Sequence, residues 1–291
     1  MRCRNSYVGL RGGVTIHGYG DEVDYGFLMS AFLIGIKDIL MTFTKVPLAA
    51  SMAYDDIALR FQRTFLGPLW IPVSNLIMIA GLTYVFGAIF QADIKSYIVY
   101  LAAGLMVWSF ISGILISGPN FFVRSQDILE SFSLPWSLQV MRFLMGHLFI
   151  LVIHGLIFII LALIVELPIT GGTALALLGL LILIVSGYGI SLVLASIGIK
   201  YRDLQHAIES VMTFLFLLTP IFWRSADLPM DRPSVTELNP LYHMIEIVRA
   251  PLLGMEVGIN SWLVSITIAG TSLIVGAAVF ASNRSRLLLW L

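Results

Sequence analysis

The chain alternates long apolar runs with short polar interruptions. Apolar runs at about 69–90, 97–118, 143–165, 173–199 and 260–281 each approach or exceed the roughly 20 residues that carry a helix across a hydrocarbon core. A shorter run, at about 206–223, brings the expectation to roughly six spans. The interruptions differ in kind. Gly171-Gly172 reads as a turn, whereas 119–142 is too long and polar for one, and 126–132 within it predicts a short helix stopped by Pro135. Before the first span, 27–46 is apolar but broken by Lys37 and Asp38, which predicts a helix lying at the membrane interface. Over 54–67, Asp56, Arg60, Arg63 and Gly67 recur on one helical face and Ile57, Phe61 and Phe65 on another, an amphipathic surface helix in which Asp56 and Arg60 form an i,i+4 pair. Between the fifth and sixth spans, Asn239 suits a helix cap and Pro240 its first position. Leu241, Ile245, Val248 and Leu252 then form a stripe, with Glu246 and Arg249 as an i,i+3 pair. About 13 residues are too few to span as a straight helix, so 239–253 is expected to be re-entrant or to lie on the outer surface.

Composition agrees with the pattern. Charged residues make up 12% of the 291, against about a quarter in a globular domain, and strand-like alternation is absent. The fold class is therefore all-α, a polytopic membrane protein. Its expected divisions are an N-terminal cytoplasmic or interfacial region (1–53), the amphipathic interface helix (54–67) and a transmembrane domain (68–291). The zero formal net charge hides a segregation. With alternating spans, Arg60, Arg63, Arg124, Arg142, Lys200, Arg202, Arg284 and Arg286 share a side with the basic residues of the tail, while Lys95, Arg224, Arg232 and Arg249 lie opposite. The Lys/Arg bias puts both termini on the cytoplasmic side of a multi-pass membrane protein. The first 26 residues read as a flexible tail and lack the pattern of a secretory signal.

The residues offer little for catalysis. The single cysteine, Cys3, excludes an internal disulfide and a cysteine-based metal site. No phosphate loop and no H-E-x-x-H motif occurs, so neither ATP hydrolysis by this chain nor a zinc site is expected. His147 and His154 read as polar contacts between helices, and Glu209 as a residue snorkelling to the surface or lining a polar path. Arg60 and Arg63 would anchor the interface helix to anionic headgroups, or also receive a phosphate-bearing lipid substrate. Aromatic residues gather near the outer span ends, among them Tyr97, Tyr100, Phe222 and Trp223; they suit a membrane belt and also the stacking of sugar rings. Nothing calls for nucleic acid.

Four stretches, in order, carry a resemblance: 60–70 (RFQRTFLGPLW), 200–203 (KYRD), 218–222 (LTPIF) and 238–242 (LNPLY). From about residue 55 on, the chain resembles the permease subunit of ABC-2-type polysaccharide exporters, the family that moves O-antigen, capsular polysaccharide or teichoic acid. The resemblance implies a homodimer of six-span protomers with two copies of a cytoplasmic ABC ATPase below. ATP and Mg would sit on that partner, and this chain would bind no cofactor. Gln126, Asp127, Leu129 and Phe132 would form a coupling helix, and Tyr201, Arg202 and Asp203 a second ATPase contact. Asn239, Pro240, Tyr242, Glu246 and Arg249 would belong to an outer gate, with Tyr97, Tyr100, Phe222 and Trp223 as channel aromatics. The substrate would be a lipid-linked polysaccharide. A related permease for a drug or lipid, and a membrane enzyme or scaffold with no ATPase, are the alternatives.

Overall fold

A computed structural model describes residues 25–168, 171–224 and 234–290, and these contain helices and no strands. In chain order the helices are α1 (Tyr25–Thr44), α2 (Val46–Arg60), α3 (Trp70–Ile89), α4 (Ile94–Ser117), α5 (Gln126–Ser131) and α6 (Trp136–Ile164), then α7 (Leu175–Gly198), α8 (Leu204–Leu218), α9 (Ser234–Glu237), α10 (Pro240–Leu252), α11 (Ile259–Asn283) and α12 (Leu287–Trp290). Five segments among the described residues, containing α3, α4, α6, α7 and α11, are long and apolar enough to cross a membrane. The expected cytoplasmic tail, with Cys3, lies largely outside the described residues, as do Asp227, Asp231 and Arg232.

Several boundaries differ from the expectation for physical reasons. The interface helix runs over Val46–Arg60, with Pro47 in its first turn, where a missing N–H costs nothing. It stops at Arg60; Arg63 takes a left-handed backbone (φ 61), and the chain turns through 61–66 before Pro68 opens the next helix. Asp56 does not pair with Arg60 but with Arg142. The third span starts at Trp136, earlier than its apolar run, because Gln139 and Arg142 are covered by other parts of the protein. The fifth expected span is helical only over Leu204–Leu218. Pro220 pushes Thr219 into an extended conformation (φ −85, ψ 134), and that ends the helix.

α4 is the axis of the bundle: nearly every residue from Tyr97 to Ile111 is buried. Its start is capped by Asp93, whose carboxylate accepts from the Ser96 N–H at 2.9 Å; that bond holds the Asp93 carboxyl below its usual range. α3 and α6 end alike, at the side where α4 begins, with Gln91 (φ 48) and Glu166 (φ 58) in left-handed conformations. The Ala92 N–H returns to the Gly87 carbonyl at 3.1 Å and the Leu167 N–H to the Ala162 carbonyl at 2.9 Å, closing both ends as Schellman motifs. α7 and α11 form the closest helix pair. A Cβ on Gly189 would run into the backbone of Ser272, and one on Gly276 into the backbone of Gly189. Only glycine permits that approach.

Candidate functional site

The two ends of the bundle concentrate the polar chemistry. One end, here the basic end, holds α2, α5 and the 199–203 loop. A cavity of about 580 Å³ there is lined by Arg60 of α2, Ser112 and Ser117 of α4, Arg124 before α5, Arg142 and His147 of α6, and Gln205 of α8. Arg142 is already neutralised. Its Nε donates to Asp56 Oδ2 at 2.6 Å, its Nη2 to Asp56 Oδ1, and its Nη1 to Gln139 Oε1 at 3.2 Å. This bidentate pair fastens α2 to α6. Arg60 and Arg124 have no ion pair among the described residues, so two free guanidinium groups line the cavity. Arg63 is exposed and does not line it.

His147 Nδ1 donates to the Phe143 carbonyl at 2.8 Å, which leaves Nε2 facing Ser117 Oγ at 3.3 Å. His154 Nδ1 lies 2.7 Å from Ser109 Oγ. Both histidines thus contact serines of α4, as polar links between helices. Glu209 lies 3.9 Å from His206, and both side chains are exposed.

The two loops of the basic end leave the bundle side by side, because Gly198 closes on the backbone of Pro119 and Asn120 Nδ2 donates to Gln205 Oε1. In α5, Gln126 donates to Glu130 at 2.8 Å, Asp127 occupies the first turn, and Leu129 is buried. Asp127 is exposed and Phe132 is 63% exposed. Tyr201 is half exposed, with Lys200 Nζ 5.2 Å from its ring centre, and Arg202 and Asp203 are exposed.

The opposite end is self-satisfied. Past α8 the backbone of 219–223 is irregular and enters the bundle, where free carbonyls need partners. The Tyr97 hydroxyl donates to the Phe222 carbonyl. The Tyr100 hydroxyl donates to the Trp223 carbonyl at 2.9 Å, with the Pro220 carbonyl 3.3 Å away. Arg249 Nη1 donates to the Pro220 carbonyl at 2.6 Å, and Nη2 to Glu246 Oε2 at 2.6 Å. Its guanidinium lies 4.3 Å from the Tyr100 ring centre, and that of Arg224 5.3 Å. Phe222 packs on Phe86 at 4.7 Å, and the Trp223 indole N–H donates to the Leu217 carbonyl at 3.1 Å. The four aromatic residues expected along a channel are thus gathered around one segment inside the protomer, with Tyr97 and Tyr100 both buried.

α10 is held by the same segment. Asn239 accepts from the Leu241 N–H at 3.0 Å and donates to Thr219 Oγ1 at 2.9 Å, joining the start of α10 to the end of α8. The helix is buried through His243–Ile245 and Ile247–Pro251, and Gly179 of α7 admits the Ile247 backbone. Tyr242, Glu246 and Arg249 line a cavity of about 450 Å³ with Ser96, Tyr100 and Arg224. The i,i+3 pair of Glu246 and Arg249 is present, but Arg249 is buried rather than on an outer face.

A third polar cluster was not among the expected sites. Asp38, 3% exposed, accepts from the Trp136 N–H (3.1 Å), the Ser137 N–H (2.9 Å), the Ser137 hydroxyl (2.7 Å) and Arg284 Nε (2.8 Å). The sequence did carry a signal: a carboxylate inside an apolar helix demands a partner. The partner itself, 246 positions away, was not visible. Among the described residues no cluster of three or more His, Cys, Asp or Glu side chains could hold a metal ion.

A helical bundle with five segments among the described residues long and apolar enough to cross a membrane defines the class, a polytopic membrane protein. The chain belongs to the ABC-2 type transporter family, whose model matches residues 49–253. It is similar to O-antigen export system permease proteins RfbA. One from Klebsiella pneumoniae is 26% identical over 239 residues, covering 79% of this chain and 90% of that protein. A second from the same organism is 25% identical over 65% of this chain and 74% of its own length. One from Myxococcus xanthus is 20% identical over 70% of this chain and 79% of its own length. The chain is an ABC-2 permease homologous to these proteins, in a family of transport subunits.

Proposed function

We propose that the chain is the membrane-spanning subunit of an ATP-driven exporter that moves a lipid-linked polysaccharide, of the O-antigen or capsular kind, across the cytoplasmic membrane. The alignment with O-antigen export permeases over most of their length carries this reading. In it, each protomer has about six spans, with α8 and the 219–223 segment as the fifth. The basic end and both termini face the cytoplasm, following the Lys/Arg bias. Two protomers form a homodimer above two ATPase subunits, which hold ATP and Mg.

Residue roles follow from chemistry. The phosphate-bearing headgroup is admitted beside α2, where Arg60 and Arg124 line a cavity and have no ion-pair partner among the described residues. Arg63 steers from the surface. Gln126, Asp127, Leu129 and Phe132, with Tyr201, Arg202 and Asp203, receive the ATPase; their exposed members at one end support this. Nucleotide binding supplies the differential energy between two states of the permease. α10, with Asn239, Pro240, Tyr242, Glu246 and Arg249, closes the outer end and yields as the glycan leaves.

Deleting the gene tests the proposal. Lipid-linked glycan should accumulate in the cytoplasm and surface glycan should disappear. Unchanged surface glycan with new drug sensitivity would favour a drug-exporting sibling, and a chain that never co-purifies with an ATPase would sink both.

A further inference from the structure

Asp38 and Arg284 lie outside the family match of 49–253, yet they meet at the base of the loop that carries α5. That loop emerges after Phe122 and returns at Trp136. Phe122 is fully buried, and its ring meets Trp136 edge-on at 5.5 Å and Phe280 of α11 at 6.2 Å. The Arg284 guanidinium lies 4.9 Å from the Trp136 ring centre. The two ends of the excursion are therefore pinned to each other and to the end of α11.

Asp38 completes the node from α1. Its carboxylate accepts two backbone N–H groups at the start of α6, where Pro135 at the cap position has no side chain able to accept them. The acidic group also complements the helix dipole there. Thr42 of α1 extends the chain: its hydroxyl lies 2.6 Å from Ser137 Oγ, which in turn donates to Asp38. Arg284 balances the buried charge.

We infer that Asp38 is a positioning residue for energy coupling: with Arg284 it fixes the base of the 123–135 loop, so that displacement of α5 is passed to α6 and α11 instead of being absorbed by the loop. The inference rests on the reading that α5 docks on an ATPase.

The test uses the full-length permease co-expressed with its ATPase subunit and reconstituted in lipid nanodiscs and vesicles. Spin labels go on Glu130→Cys and Ser285→Cys in a Cys3→Ser background, since Cys3 is the one native cysteine. With Asp38 intact, the label distance is narrowly distributed and shifts on ATP binding. In Asp38→Asn the complex assembles and basal ATP hydrolysis persists. The distribution broadens, the ATP-linked shift is lost, and export per ATP falls about tenfold, a typical coupling loss. The double variant Asp38→Asn with Arg284→Gln removes both charges and decides the matter if the single variant folds poorly. It should regain the melting temperature and remain uncoupled. Asp38→Glu should restore part of the coupling. Wild-type distances and wild-type export per ATP in the double variant would reduce the pair to a stability element and overturn the inference. A complex whose ATP-linked shift is missing even with Asp38 intact would instead overturn the ATPase reading, and the coupling role with it.

Discussion

The two ends of the bundle handle polar groups in opposite ways. At the basic end, charge pairs join elements far apart in sequence, as in Asp56 with Arg142, while Asp127, Phe132, Tyr201, Arg202 and Asp203 stay exposed. At the other end, Tyr97, Tyr100, Arg249 and Asn239 are all spent inside the protomer, on the irregular 219–223 segment and its neighbours. One end leaves polar and aromatic groups exposed, and the other spends them on its own backbone. If this end is the outer gate proposed above, opening it requires exchanging these internal hydrogen bonds for others.

The contrast can be broken most forcefully at Arg249. Arg249→Ala leaves Glu246 and the Pro220 carbonyl without their donor, and removing one partner of a buried pair costs about 3–5 kcal/mol. A thermal melt in detergent should show the largest loss of any single substitution at that end. Arg142→Ala should cost less, about 1.5–3 kcal/mol for charged hydrogen bonds, because its partner Asp56 is partly exposed and can be rehydrated. The exchange Asp56→Arg with Arg142→Asp should recover part of the loss. Tyr100→Phe removes one hydroxyl and should cost about 1 kcal/mol, visible as a lower melting temperature. Export should respond differently at two arginines of the basic end. Arg60→Gln should reduce transport more than Arg63→Gln at equal expression, since only Arg60 lines the cavity; equal losses would return the headgroup role to the pair.

The smallest effect is expected at Asp93. Its carboxyl is depressed by the Ser96 N–H, so the cap contributes fully above the ordinary aspartate pKa of about 3.9. The contribution fades as pH falls through the lowered value. Asp93→Ala should remove that acid sensitivity and little else.

The apolar spans were legible because a membrane helix advertises itself in one dimension. α3, α4, α6, α7 and α11 each overlap an expected run over most of its length. Helix ends were harder to read where polar residues stay helical under cover: Gln139 and Arg142 looked like loop but belong to α6. Side-chain partners were the least legible. Spacing on one helix proposed Arg60 for Asp56, yet the true partner stands 86 positions away. The short-range pair Glu246 and Arg249 was legible, but the burial that makes it matter depends on Tyr100 and Pro220. Aromatic residues at 97, 100, 222 and 223 are expected near the span ends from their types alone; the hydrogen bonds of Tyr97 and Tyr100 to backbone carbonyls leave no trace in a pattern of types.

The glycine contact between α7 and α11 has a mechanical meaning. Two helices whose backbones touch at Gly189 and Gly276 have no layer of rotamers between them that can slide. Shear motion works through such layers, so this contact resists the sliding of one helix along the other. Regular backbone is interrupted elsewhere, at Thr219-Pro220 after α8 and at the short break between α1 and α2.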